Sequence, residues 1–231
     1  QDDFLKVTKK QNDFGFTPKQ KLILQFSTAF ISVGLLYVAN FSSVISIFDF
    51  DVDFGIFYFI MMAVIMVGFS NASNLTDGLD GLLTSVSIVI FSTLFIISIY
   101  QGEPIGLSIF ILIFTGLLIG FLLNNKFPAK MFMGDTGSLV IGALFTFLII
   151  IMKIEFIGLF LGGIYIVEML SVIFQVGYYK YTKKKYGEPK RLFRMAPLHH
   201  HFEQGGKSEK NITLNFVFVQ VLISMIILVL L

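Results

Sequence analysis

Seven stretches of predominantly apolar residues divide this 231-residue chain, at roughly 22–41, 55–71, 82–100, 105–123, 137–152, 155–178 and 212–231. A helix needs about 20 such residues to cross the hydrocarbon core of a bilayer. The expected fold class is therefore an all-α polytopic membrane protein with about seven transmembrane helices, a single integral-membrane domain over 1–231 whose first partner is the lipid bilayer. Composition agrees: 55% hydrophobic against 14% charged residues, including 28 Phe, is more apolar surface than one water-facing globule of this length could hide. With no Cys in the chain, thiol chemistry and thiolate metal sites are excluded, and His, Asp and Glu remain as the strong ligands. The opening at Gln1, without Met, signal peptide or a first apolar span, reads as the interior of a longer protein.

The cations set the topology. Alternating the connections puts 1–21, 71–81, 124–136 and 179–211 on one side and 42–54, 101–104 and 153–154 on the other; the first side then holds 16 of the 17 Lys and Arg, leaving only Lys153 outside. The positive-inside rule makes that side cytoplasmic and puts the C-terminus outside. A net charge of +2 is too small to support a nucleic-acid partner. On the opposite side, the alternation Phe48-Asp49-Phe50-Asp51-Val52-Asp53-Phe54 predicts a short strand with one acidic face, which could hold a cation but needs none if it is a solvated hairpin.

The polar residues left after the spans concentrate in four connections of the basic side. Asp2 and Asp3, with Lys6 nearby, form a carboxylate pair that either shares a cation or has one raised pKa suited to a base; an exposed acidic helix end is the plainer alternative. The run 71–81 contains Asn71, Asn74, Asp77 and Asp80, with the two Asp three apart and so on one face of a helical turn; capping by Thr76 or Asp77 explains one of them and leaves the rest. The run 124–138 ends in Gly134-Asp135-Thr136-Gly137-Ser138 just before a helix, offering backbone N–H groups to an anion and Asp135 to a divalent metal, or a simple cap. The last, 196–203, holds His199, His200 and His201; consecutive side chains point apart, so they suit phosphate contact or proton transfer better than a shared metal, unless the loop is merely basic and mobile. Glu168 and Gln175 lie seven apart inside the sixth span, where polar groups are costly and either functional or paired between helices.

Taken together and in this order, Asp2-Asp3 with Lys6, the Asn-Leu-Thr-Asp-Gly-Leu-Asp-Gly run at 74–81, Phe132-Met133-Gly134-Asp135-Thr136-Gly137-Ser138 and Pro197-Leu198-His199-His200-His201-Phe202-Glu203 closely resemble the bacterial phospho-N-acetylmuramoyl-pentapeptide transferases, the MraY family, across essentially the whole chain. The first three kinds of motif are shared by the wider superfamily of polyprenyl-phosphate sugar-1-phosphate transferases; the His-rich run points to the muramoyl-peptide enzymes. The resemblance implies Mg²⁺-dependent transfer of phospho-MurNAc-pentapeptide from UDP-MurNAc-pentapeptide to undecaprenyl phosphate, giving lipid I and UMP in peptidoglycan synthesis. It implies Asp135 as the magnesium ligand and Asp2 as the base on the lipid phosphate with Asp3 beside it. Lys6 and Lys21 would lie near the phosphates, and Asp80, Asn125 and Phe132 at the uracil and nucleoside. Asn74, within the shared run, Asp77 and Gln175 would line the same cleft, and the three His would form a loop over the sugar-phosphate. Full-length members have ten helices, so this chain would begin where the third ends, and as written it would be incomplete as an enzyme.

Two other readings stay open on the sequence. A related transferase moving GlcNAc-1-phosphate from UDP-GlcNAc to the same lipid is disfavoured by the His run, and a membrane transporter, suggested by Glu168 and Gln175, is disfavoured because the motifs gather at one surface rather than at the midplane. A homodimer also stays open.

Overall fold

A computed structural model describes residues 17–47 and 50–231. Among them the elements run α1 (Pro18–Val38), β1 (Val44–Ile47), β2 (Phe50–Asp53), α2 (Ile56–Thr76), α3 (Leu82–Tyr100), α4 (Ile105–Asn125), α5 (Gly134–Ile151), α6 (Glu155–Leu161), α7 (Gly163–Tyr186), α8 (Leu198–Glu203) and α9 (Glu209–Leu230). Six helices are each long and apolar enough to cross a membrane, and α6 with α7 supplies a seventh span only as a pair bent by 69°. The chain is an all-α polytopic membrane protein, and the sixth expected span is corrected to a broken one. The break falls at Gly162, where a Cβ would overlap the rings of Phe69 and Phe145.

Local chemistry sets the ends. Thr17 and Gln20 form a reciprocal capping box ahead of Pro18 at the start of α1. Ser208 accepts the Asn211 N–H at the start of α9, and α7 stops at Gly187 in the left-handed region, with Lys183, Lys184 and Lys185 in its last turn. Helix α3 is the central element: Leu82, Leu83, Val86, Ile90, Phe91, Leu94 and Ile97 are wholly buried. By contrast Ile31, Leu35, Leu117 and Val229, on α1, α4 and α9, leave broad apolar faces for lipid. Small residues bring α2 and α5 together. A Cβ at Gly142 would overlap the Phe69 carbonyl, and the hydroxyls of Ser70 and Ser73 donate across the contact to the carbonyls of Leu139 (2.8 Å) and Ser138 (2.6 Å).

Several expected boundaries move. The connection expected at 71–81 is helical as far as Thr76, because Ala72, Ser73 and Thr76 are buried against the bundle; Asn71 and Asn74 therefore sit on the last turns of α2. Asp77 and Asp80 lie in the turn that follows, not on a helical face. Helix α5 begins at Gly134, so Asp135 falls in its first turn. The long loop expected at 179–211 is shortened by the continuation of α7 to Tyr186 and interrupted by α8, which carries the His run.

The acidic alternation is half of a hairpin, with Val44 facing Asp53 and Ile47 facing Phe50. Serines on or beside the facing strand answer its carboxylates: Ser46 donates to Asp51 at 2.7 Å and Ser43 to Asp53 at 2.5 Å. The Ser43 hydroxyl, then the Gly55 N–H, hold the Asp53 carboxyl below its usual range. Asp51 and Asp53 thus have partners without a cation; Asp49 lies outside the described residues.

The two sets of connections separate as the alternation required. One end of the bundle gathers Lys21, Asn74, Asp77, Asp80 and Asp135; the other gathers the hairpin, Lys153, Glu155 and the C-terminal Leu231, whose carbonyl accepts the Tyr100 hydroxyl at 2.8 Å.

Candidate functional site

Asp135 stands in the first turn of α5, where the helix dipole favours a negative charge. Three elements meet at its carboxylate. Lys21, from the first turn of α1, places Nζ 2.6 Å from Oδ2. Asn74, near the end of α2, donates through Nδ2 to Asp135 Oδ1 at 3.2 Å and to the buried Ser138 Oγ at 2.8 Å. Asp77 caps the C-terminus of α2, and its carboxyl is pushed up to about 6, first by burial and then by the charge of Asp135. A cleft of about 310 Å³ opens beside this group, between Lys21, Gln25, Asn71, Asn74 and Asp135. Gln25 and Asn71 hold its wall through paired amides: Asn71 Nδ2 donates to Gln25 Oε1 at 2.8 Å, and Gln25 Nε2 donates back at 3.4 Å.

The neighbouring loop is braced by two other predicted residues. The Asp80 carboxylate accepts the Ala129 N–H at 2.8 Å, tying the 77–81 turn to the 126–133 loop. Asn125 is buried, with Oδ1 accepting from Thr84 Oγ1 at 2.6 Å and Nδ2 donating to the Met131 carbonyl at 3.0 Å. Its side chain thereby shapes the loop that carries Phe132. Phe132 is 75% exposed, an available stacking face on that same loop.

The three histidines take different surroundings, as consecutive side chains should. His199 is wholly buried, with Nδ1 3.3 Å from Glu168 Oε2. His200 Nδ1 lies 2.7 Å from Glu203 Oε2. His201 Nδ1 accepts the Arg194 N–H at 3.1 Å, which leaves its proton on Nε2. Gln175 is a clamp for the segment before α8: Oε1 accepts from the N–H groups of Leu192 (3.0 Å) and Phe193 (2.9 Å), and Nε2 donates to the Phe193 carbonyl at 3.2 Å. Expected at a cleft, it is committed to that backbone.

Asp2, Asp3 and Lys6 lie outside the described residues. Among the described ones no three His, Asp or Glu side chains converge closely enough to hold a metal together. The donor set is nevertheless of the kind a hard cation takes: oxygen carboxylates of Asp135 and Asp77, near enough that one charge raises the other's pKa. A larger cleft, about 820 Å³, lies elsewhere, at the opposite end between α6, α7 and α9, and none of the predicted site residues lines it. Sequence reasoning missed Gln25; a side-chain amide three positions into an apolar span is the signal that could have found it.

Glycosyl transferase family 4 matches residues 2–153, which include Asn74, Asp77, Asp80 and Asp135. The chain belongs to that family. Among its relatives, the phospho-N-acetylmuramoyl-pentapeptide-transferase of Streptococcus agalactiae serotype Ia is 46% identical over 209 residues, 90% of this chain and 62% of that protein. The transferases of the same name from Streptococcus pyogenes serotype M6 and Listeria welshimeri serovar 6b are 47% and 43% identical, covering 90% and 93% of this chain and 62% and 65% of theirs. The chain spans less than two thirds of the length of these curated relatives.

Proposed function

We propose that this chain works as a phospho-N-acetylmuramoyl-pentapeptide transferase, moving phospho-MurNAc-pentapeptide from its UDP carrier to undecaprenyl phosphate and releasing UMP. The observation that carries this reading is the Lys21–Asp135–Asn74 group beside Asp77, assembled from three helix ends at one face of a membrane bundle. In the reaction a lipid phosphate oxygen attacks the phosphorus that bears the sugar, and the bond from that phosphorus to the UMP oxygen breaks. Such an exchange calls for placement and charge neutralisation more than for covalent work by the protein. Lys21 neutralises phosphate charge, Asn74 fixes the Asp135 carboxylate, and exposed Phe132 offers a face to the base. Asp135, with Asp77, would hold a magnesium ion, which supplies charge stabilisation to the phosphates. Asp2 is the proposed base and Asp3 its neighbour, with Lys6 near the phosphates.

The His run, shared with the muramoyl-peptide enzymes, favours this donor over UDP-GlcNAc, and the relatives' common name supports the same choice. The natural full-length protein, given undecaprenyl phosphate and Mg²⁺, should release UMP from UDP-MurNAc-pentapeptide and not from UDP-GlcNAc; the opposite preference would replace this reading by the GlcNAc-phosphate one. The polar end is cytoplasmic by the cation count. In intact cells an impermeant thiol reagent should therefore label a cysteine placed at residue 51 and spare one at 205; the reverse would invert the topology.

A further inference from the structure

Glu168 is wholly buried within α7, a position where an uncompensated carboxylate is costly and its partners are informative. Its partners come from α8. Oε2 accepts the Leu198 N–H at 2.8 Å and Oε1 accepts the His199 N–H at 3.2 Å. These first-turn N–H groups have no partner within α8, which also lacks a side-chain cap of its own. The same carboxylate lies 3.3 Å from His199 Nδ1, within ion-pair reach though out of line for a straight hydrogen bond. The other ring nitrogen, Nε2, is buried without a hydrogen-bond partner and lies against Gly78, where any Cβ would overlap it. Gly78 belongs to the turn that carries Asp77 and Asp80.

We infer that Glu168 and His199 form a strut between α7 and the Asp77–Gly81 turn, making both of them positioning residues and leaving His200 and His201 to face the donor. This deepens the transferase reading and rests on it for the roles of His200 and His201. The strut divides the work within the His run. Glu168 sets the depth at which α8 docks by capping it from outside, and it turns the His199 ring so that Nδ1 faces the carboxylate and Nε2 the turn. A carboxylate behind an imidazole fixes which nitrogen carries the proton. His200 and His201 are then presented from a fixed base: the His200 ring lies against that of His199, centroids 4.3 Å apart, yet its side chain is 26% exposed, against 1% for His199.

The test uses the natural full-length protein in detergent. Diethyl pyrocarbonate modification, mapped by mass spectrometry, should spare His199 and reach His200 and His201. Nitrogen-15 spectra of the ring should place the His199 proton on Nδ1. In Glu168→Gln the proton should leave that single position, His199 should become modifiable, and kcat should fall about 10- to 100-fold, as expected when a carboxylate orienting a histidine is removed. Gly78→Ala displaces the ring from its other side and should expose His199 without touching Glu168, so the strut stays testable if the first variant folds poorly. Modification of wild-type His199 as fast as His200 would overturn the inference, and so would a His199 proton on Nε2 or an unchanged ring in both variants. The chemical and spectroscopic readouts need no substrate. Absence of transfer from either sugar nucleotide, with His199 protected and Nδ1 protonated, would therefore overturn the transferase reading and leave the strut standing.

Discussion

The two ends of the bundle carry similar chemistry to different effect. At one end Lys21 and Asp135 form a partly exposed ion pair beside a cleft, with the neighbouring Asp77 carboxyl pushed up by burial and then by the charge of Asp135. At the other, Lys153 pairs with buried Glu155 at 3.0 Å, donates to the Ser42 carbonyl at 3.0 Å and packs its ammonium over the Phe41 and Tyr58 rings. The Tyr58 hydroxyl donates to Glu155 as well. There the charges are spent on joining the hairpin to α2 and α6. At the polar end, like charges are held near one another at a cost to the fold, and such an arrangement is explained by what it binds.

The largest expected difference lies in turnover. Asp135→Asn in the full-length protein should lower transfer at least about 10²-fold, since one preorganised charge at reacting phosphates is worth that much, while the purified protein keeps its thermal midpoint. Near-parental activity at limiting Mg²⁺ would reduce Asp135 to a helix cap and erase the contrast between the ends.

Next comes stability at the opposite end. Lys153→Met strips the buried Glu155 carboxylate of its cation and should cost about 2–3 kcal/mol in denaturant unfolding, with turnover per folded molecule unchanged. A loss of turnover without a loss of stability would show that the two ends are coupled.

The smallest effect is a pH dependence. Asp77 titrates at about 6 in the folded chain and near about 4 when unfolded. Between those values the folded state holds a proton that the unfolded chain has lost, so Asp77's favourable contribution is complete below about pH 4 and is lost as pH rises through about 6. Asp77→Asn should match the wild type at pH 4 and exceed it at pH 7.5 by about 1 kcal/mol, a figure discounted for partial exposure. Added Mg²⁺ should narrow that gap; equal stability of the two proteins across the whole range would remove the electrostatic strain assigned to this end.

Much of this was legible in the chain. Apolar stretch length gave the spans, and the lone position of Lys153 sorted the connections into the two ends that the fold separates. Asp135, Asn74 and Lys21 could be nominated from local runs, although residues 114 positions apart meet only through the packing of α1 on α2 and of α2 on α5. What the sequence hid was commitment. Asn125 and Asp80 look like free polar groups in connections and Gln175 like one inside a span, yet each is taken up by backbone several or many residues away. The break at Gly162 was equally hidden, since hydropathy runs through it and only the Phe69 and Phe145 rings reveal why a glycine turns there.

The central claim, that the donor binds at the polar end, is tested most directly by photolabelling. A photoreactive UDP-sugar irradiated with the full-length protein, followed by digestion and mass spectrometry, should mark peptides within 71–81, 124–136 or 198–203, with protection by unlabelled UDP-MurNAc-pentapeptide. Protectable label on 39–55 or 152–155, at the end where charges are spent on the fold, would contradict it.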